Sequence, residues 1–333
     1  MKVSIIIPVY NVSDYIERCI KSVMNQTYSD IECIIVDDAT PDDSIDKCEK
    51  MIESYDGPIR FSIIHHQKNR GLSAARNTGT DAATGEYLYY LDSDDEITSD
   101  CIEKLLRIMV DDNTIEMVQG NHIEKKGGNQ LVYFKGASSI RLSSNLDVYK
   151  HYFNNHHIVC SAWNKLMKRS FVEQFKLYFK EGLLYEDRLW IFYVKKHIGN
   201  FYISKDITYV YHVRPNSITT QGKNIAVANS FIVLYQDILT HLTPEREKIE
   251  LNGWIYGFCK PYCMYVDELP IMKSVLILYK EKAKQYHCWY VYLILNLVGI
   301  VRQFGNPMTI MCFLHALHWK KAELPDKLNL IKK

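Results

Sequence analysis

The first hundred residues predict an α/β fold with a mostly parallel sheet. Short β-branched, apolar runs alternate with segments of helical periodicity, and each run stops at a polar cluster. In such sheets ligands bind beyond the carboxyl ends of the strands. Three of those ends carry Tyr10-Asn11, Asp37-Asp38 and the stretch Asp92-Ser93-Asp94-Asp95, so the pattern predicts one polar rim suited to a nucleotide.

The elements follow in order. Val3 to Val9 reads as a first buried strand, and it is too short for the core of a signal peptide. Ser13-Asp14 can cap a helix over Tyr15 to Asn25, with Ile16, Cys19, Ile20 and Val23 on one face. Ile31 to Val36 is a second strand, closed by the loop from Asp37 to Asp43, which leads into a helix. Arg60 to His65 is a third strand. Gly71 to Ala83 reads as a loop opening into a helix rich in small residues, and Gly85-Glu86 turns into the strand that ends at Asp92. Farther on, Ile115 to Val118, Leu131 to Phe134 and Ile207 to Val213 are candidate strands, and Asn145 to Asn154 a candidate helix. From Asn224 the pattern is helical, which places a boundary near 221 between a domain over 1–221 and a helical region over 222–333.

Composition narrows the classes. The 333 residues suffice for a catalytic domain and a smaller second unit, and 47% hydrophobic with 24% charged residues describes a globular protein. A net charge of +1 argues against a nucleic-acid binder. The charge is uneven: residues 222–333 hold 14 Lys/Arg against 9 Asp/Glu, which suits docking on anionic lipid. The nine cysteines show no zinc spacing, and Cys259 and Cys263, four apart, read as packed thiols in a reducing, cytoplasmic setting. The apolar run Trp289 to Val301 falls short of the ~20 residues that span a bilayer.

The densest chemical signal lies at the end of the fourth strand. Asp92, Asp94 and Asp95 fall within four residues, and carboxylates so close repel unless a cation sits between them. Mg²⁺ or Mn²⁺ is the natural candidate, since both take oxygen ligands and bring phosphates with them. A D-x-D alone is weak evidence, because a polar turn capping a strand looks the same.

Here it does not stand alone. The blocks Ser4-Ile5-Ile6-Ile7-Pro8-Val9-Tyr10-Asn11, Ile34-Ile35-Val36-Asp37-Asp38, Asn69-Arg70-Gly71-Leu72-Ser73-Ala74-Ala75-Arg76-Asn77 and Leu91-Asp92-Ser93-Asp94-Asp95 resemble family 2 glycosyltransferases, in order and spacing. Trp163-Asn164-Lys165 and the run Glu181 to Asp187 are similar to further family elements. The resemblance implies inverting enzymes with the GT-A nucleotide-diphospho-sugar transferase fold, a Rossmann-like sheet flanked by helices.

The resemblance also implies roles. Pro8, Val9, Tyr10 and Asn11 resemble the edge that receives base and ribose. Asp38 resembles the carboxylate that accepts from the uracil N–H, with Asp37 bracing the loop; the pair could instead cap the helix after Asp42. Asn69, Arg70 and Arg76 come to the same rim, where an arginine can grip a diphosphate; Arg76 could instead pair with Asp92 or Asp94. Asp92, with Ser93, suits ribose, Asp94 the metal, and Asp95 either of these, the sugar or the support of a neighbour. Asp187 resembles the general base that deprotonates the acceptor, with Glu186 as fallback and Gly182 allowing close backbone approach. Without the family, Glu186 and Asp187 read as carboxylates complementing a helix dipole. His212 sits where a metal-binding histidine is found, although many members carry arginine nearby. Trp163 could stack on a sugar, with Asn164 and Lys165 donating, or be a core tryptophan.

The expected partners are a UDP-sugar and a saccharide or lipid-linked acceptor in surface-polysaccharide assembly, with no nucleic acid; a homo-oligomer is compatible. Dense aromatics (Tyr256, Phe258, Tyr262, Tyr265, Trp289, Tyr290, Tyr292, Trp319) among Lys280, Lys282, Lys284, Lys320 and Lys321 suit either a peripheral contact on the inner face of the membrane or a helical cap. Two rival functions are a nucleotidyltransferase, disfavoured because Ile5 to Tyr15 has no Gly, Lys or Arg, and a non-catalytic carbohydrate-binding scaffold, disfavoured by the intact acidic clusters.

Overall fold

In a computed structural model the described residues are 1–136, 138–154, 157–214 and 224–304. The loop 215–217, the side chain of Tyr256, and Trp319, Lys320 and Lys321 lie outside them. The chain separates into two compact units, Met1–Val148 with His157–Gln221, and Tyr149–His156 with Gly222–Lys333.

The first unit is built on one sheet. Strand β1 (Val3–Val9) is buried at all seven positions, which is why it reads as an unbroken apolar run rather than an alternation. It lies between β2 (Ile31–Asp37) and β4 (Tyr87–Tyr90), parallel to both. Strand β3 (Arg60–His65) adds in parallel beyond β2, and its alternating exposure marks it as an edge. Helices α1 (Ile16–Met24), α2 (Ser44–Glu53) and α3 (Leu72–Ala82) are the crossovers. The β-branched cores of β1 and β2 supply about 1.5–3 kcal/mol per buried Val or Ile side chain. Helix α3 opens at Gly71, whose φ of 88° only glycine adopts without strain.

Beyond β4 the sheet is mixed. After β5 (Glu96–Ile97) and α4 (Cys101–Asp111) come β6 (Met117–Lys126), β7 (Asn129–Val132), β8 (Ile140–Leu142), α5 (Asn145–Phe153), β9 (Lys165–Lys168), α6 (Arg169–Phe175), α7 (Glu186–His197) and β10 (Phe201–His212). The order is β3-β2-β1-β4-β9-β6-β10-β5, with β7 on β6 and β8 on β10. Strand β9 runs antiparallel to both β4 and β6, and β10 parallel to β6. The parallel character predicted for the sheet therefore holds for β1 to β4 and gives way where βαβ alternation ends. Strand β9 has only four residues, too few for a periodicity to show, and sequence reasoning passed over it together with β5 and α4.

The second unit is helical: α8 (Ile225–Thr240), capped by the Asn224 side chain, then α9 (Glu247–Tyr265), α10 (Met272–Gln285) and α11 (Trp289–Phe304). Its interior holds Tyr235, Phe258, Cys259, Cys263 and Tyr279, all buried, so these two cysteines pack as expected. No helix among the described residues is long and apolar enough to cross a membrane.

Candidate active site

The parallel strands β1, β2 and β4 end side by side, and their following residues form the rim. Pro8 and Val9 are buried within β1, whereas Tyr10 and Asn11 project from it. The Val9 side chain is in the core, so of this edge only Tyr10 and Asn11 present side chains to solvent.

Asp38 lies deeper. Its carboxylate is 2% exposed and accepts from Arg70 N–H at 2.8 Å and Gly71 N–H at 2.7 Å, with the His66 imidazole at 2.7 Å. It braces the turn into α3. Asp37, partly exposed, accepts from Thr40 N–H at 2.8 Å and pairs with His65 at 2.9 Å. Asn69 and Arg70 are exposed, and Arg70 meets Glu181 at 3.0 Å, an open ion pair of little energetic weight.

Arg76 is the hub of the site. Only 1% exposed, its guanidinium donates to Asp92 at 2.8 Å, Glu186 at 2.6 Å and Asp187 at 2.8 Å, and lies over the Phe179 ring. The structure thus favours the ion-pair reading of Arg76 over direct contact with a diphosphate, since a guanidinium this enclosed has no open face. Asn77 sets the partners in place by bracketing Phe179, donating to its carbonyl and accepting from its N–H, each at 2.8 Å. Phe179 stacks on Trp190 of α7, which anchors to Leu177 O. Glu186 and Asp187 then fall in the first turn of α7, where the helix dipole favours carboxylates.

The charges are not balanced. Burial pushes the Glu186 carboxyl up to about 7, with Asp187 adding to the shift and Arg76 opposing it. Asp187 is raised as well, by burial and then by Asp92 against the pull of Arg76. The two differ in access: the Glu186 side chain is 5% exposed and that of Asp187 19%. For Glu186 the unfolded carboxyl ionises first as pH rises, so the native state loses stability between about 4.5 and about 7 and recovers none above. Glu186→Gln should therefore raise the melting temperature at pH 8 by an amount equivalent to roughly 1–3 kcal/mol and leave it nearly unchanged at pH 4.5. Thermal melts of both proteins at the two pH values check this, and an equal shift at both would refute it.

The acidic motif divides by depth. Asp92 keeps one carboxylate oxygen on Arg76, and Ser93 is buried. Asp94 meets the Arg214 guanidinium at 2.5 Å, and burial followed by Asp92 raises its carboxyl. Asp95 is fully buried, accepting from Tyr209 Oη at 2.7 Å and His212 N–H at 2.8 Å, so its contact with a sugar is corrected to support of a neighbour. The His212 ring turns to Glu96, with Nε2 2.6 Å from the carboxylate, so its nearest partner is a carboxylate outside the Asp92–Asp95 motif. Arg214, which sequence reasoning passed over as part of a loop, is the group that reaches Asp94, and the arginine the family carries nearby was the available signal.

A divalent ion is tested by the donor set. Among the described residues, Asp92, Asp94, Glu186 and Asp187 pair with the guanidiniums of Arg76 and Arg214, Lys165 adds a cation near Asp187, and burial together with mutual repulsion still raises Asp94, Asp95, Glu186 and Asp187. Asp92 and Asp94 each use one oxygen on an arginine, which leaves hard oxygen donors in a site short of positive charge. Mg²⁺ is commonly held by one or two carboxylates with substrate phosphates completing the shell, so the residues fit.

Trp163 is a core residue, 8% exposed, stacked against Tyr209 and Tyr211 and edge-on to His122. Asn164 bonds to Asn121 O, Tyr89 and Thr208, and Lys165 Nζ donates to Ser161 O with burial pulling its ammonium down to about 8. Sugar contacts by these three residues are corrected to packing. Gly182 is exposed with φ 79°, a backbone conformation that favours glycine, and a Cβ there would meet no protein atom.

The mixed α/β sheet with an acidic rim at its strand ends has the GT-A fold, shared with glycosyltransferases of known structure. Residues 4–175 match the profile of glycosyl transferase family 2, and the chain belongs to that family. Over 258 residues it is 31% identical to the putative glycosyltransferase EpsH of Bacillus subtilis, covering 74% of this chain and 71% of that one. It is 31% identical over 229 residues to the glycosyltransferase GlyA of Streptococcus pneumoniae, covering 66% of this chain but only 31% of GlyA, and it spans 62% of EpsJ of Bacillus subtilis. In fold it is similar to S. aureus TarS 1–349 in complex with UDP-GlcNAc (TM-score 0.65, 17% identity, 89% of this chain and 90% of that one). It is also similar to the mannosyltransferase PcManGT of Pyrobaculum calidifontis in complex with GDP-Man and Mn²⁺ (TM-score 0.59, 17% identity, 98% and 88%). Membership of the family displaces the nucleotidyltransferase reading.

Proposed function

We propose that this glycosyltransferase moves a sugar, with inversion, from a nucleoside diphosphate to a saccharide or lipid-linked saccharide in surface-polysaccharide assembly. The observation that carries the proposal is that Arg76 holds Asp187 and Asp92 on a single guanidinium, so that the candidate base and the donor-side motif share one rigid support. Complexes of TarS with UDP-GlcNAc and with UDP support UDP as the nucleotide.

In this reading Tyr10, Asn11 and the partly exposed Asp37 receive the nucleoside, and Asp92 the ribose through its remaining oxygen. Asp94 and Asp92 would hold a divalent ion, and the Arg214 guanidinium, now on Asp94, would pair with the diphosphate. When bound, the ion neutralises charge on the departing nucleoside diphosphate. Asp187 takes the proton from the acceptor hydroxyl, whose oxygen bonds to the anomeric carbon as the bond from that carbon to the phosphate oxygen breaks. Its raised carboxyl is the better proton acceptor for that task. A site of this chemistry would act at the cytoplasmic face of a membrane if the acceptor is lipid-linked.

Titration of UDP with and without Mn²⁺ tests the donor half. The wild type should bind UDP at least ~10-fold more tightly with Mn²⁺, a gain of the size a single coupling interaction carries, and Asp94→Ala should lose that gain. Equal affinities in all four cases would refute metal-assisted donor binding. A screen of UDP-, GDP- and dTDP-sugars for donor hydrolysis identifies the donor.

A further inference from the structure

The outer faces of α10 and α11 carry a surface that the catalytic reading leaves unused. On α10, Lys273, Ile277, Lys280 and Lys284 stand at i, i+4, i+7 and i+11, so they line one stripe, turned away from the buried Met272, Val275, Leu276, Tyr279 and Ala283. Ile277 is 57% exposed within that basic stripe. On α11, Trp289 and Leu293 lie one turn apart, 60% and 57% exposed. The two faces are continuous, since Lys284 Nζ sits 5.0 Å from the centroid of the Tyr292 ring, and Tyr292 is edge-on to Trp289.

An exposed tryptophan, a leucine and an isoleucine cost free energy in water, and burying them in a protein partner would also bury the lysines among them. A lipid surface accommodates both: the rings and aliphatic groups enter the headgroup region while the ammonium groups stay at the phosphates. We infer that the Lys273–Lys284 stripe of α10 and the Trp289–Leu293 face of α11 dock this protein on an anionic phospholipid bilayer. The charge complementarity selects that occupant over a second copy of the chain, which would set the same lysines near one another across a two-fold axis. The inference concerns location, and it stands whether or not UDP is the donor; a lipid-linked acceptor would gain from it by concentration at the surface.

Co-sedimentation of the full chain with vesicles of phosphatidylcholine alone, or of phosphatidylcholine with 30% phosphatidylglycerol, tests it. The wild type should pellet with the anionic vesicles only, and 0.5 M NaCl should release most of it. Lys280→Glu with Lys284→Glu should lower partitioning by about 20-fold or more, from a factor of ~5 per basic charge at the surface. Trp289→Ala should lower it without altering the salt dependence. Melting temperature and UDP binding of each variant, expected to match the wild type, separate loss of docking from loss of fold and from failure of the donor assignment. Wild-type protein left in the supernatant, binding undiminished in both variants, or a dimer in gel filtration that the charge reversals dissociate, would each overturn the inference.

Discussion

Replacing Asp187 by Asn should lower sugar transfer by about 10³-fold while UDP affinity changes by less than about twofold. A positioned general base contributes roughly 10²–10⁴ in rate, and the amide cannot take the acceptor's proton. The substitution is nearly isosteric, and its carbonyl can still accept from Arg76, which in the wild type lies 2.8 Å from the carboxylate. Fold and donor binding are therefore expected to survive, and the loss should fall on kcat. The companion Glu186→Gln should retain most of the transfer, because the Glu186 side chain is enclosed and cannot reach an acceptor. The acidic limb of the kcat/KM profile should lie above the range of an ordinary carboxylate, since the coupled Glu186 and Asp187 carboxyls are both raised. Steady-state transfer assays against pH, with UDP binding measured in parallel, check all three expectations. Wild-type turnover in Asp187→Asn removes this residue from the base role, and a large loss in Glu186→Gln alone moves the role one position back.

The strands that end at the site were legible because they are buried on both faces. Ile5, Ile6 and Ile7 or Cys33, Ile34 and Ile35 run without a polar interruption, and the chain between such strands must cross over. The acidic residues were legible as chemistry, because Asp92, Asp94 and Asp95 adjoin in sequence. Their individual roles were not. Asp94 and Asp95 are neighbours in the chain, yet one opens toward Arg214 and the other is sealed under Tyr209. That division follows from β10, which arrives more than a hundred residues later. The same holds for Asp37 and Asp38. Their order in the chain says nothing about which carboxylate turns back to hold Arg70 N–H and Gly71 N–H. Trp163-Asn164-Lys165 misled because tryptophan, amide and amine suit a sugar site and a packed core alike, and only the surrounding Tyr209, Tyr211 and Thr208 decide between them. In each case composition named the chemistry and long-range contacts assigned the role.

Arg76→Met should destabilise the catalytic unit by about 3–5 kcal/mol at pH 8, the cost of removing one partner from a buried ion-pair network. The methionine fills much of the volume and can pack on Phe179, so a cavity is not the source of the loss. The source is charge: Asp92, Glu186 and Asp187 share the same guanidinium, and without it three carboxylates face one another around an apolar side chain. They can escape by binding protons. The folded-state carboxyls then rise further above their unfolded values, so the deficit should be largest at alkaline pH and shrink as pH falls below about 6. Arg76→Lys should fall between the two, because an ammonium restores the charge but not the planar fork that reaches three acceptors. Urea unfolding at pH 5 and pH 8 measures the difference directly. A guanidinium that served only to grip a diphosphate would give the opposite pattern: Arg76→Met would unfold like the wild type at both pH values, and only UDP affinity would suffer. The buried position of Arg76 and its three carboxylate partners predict the first pattern, and with it the collapse of the base and the donor motif together.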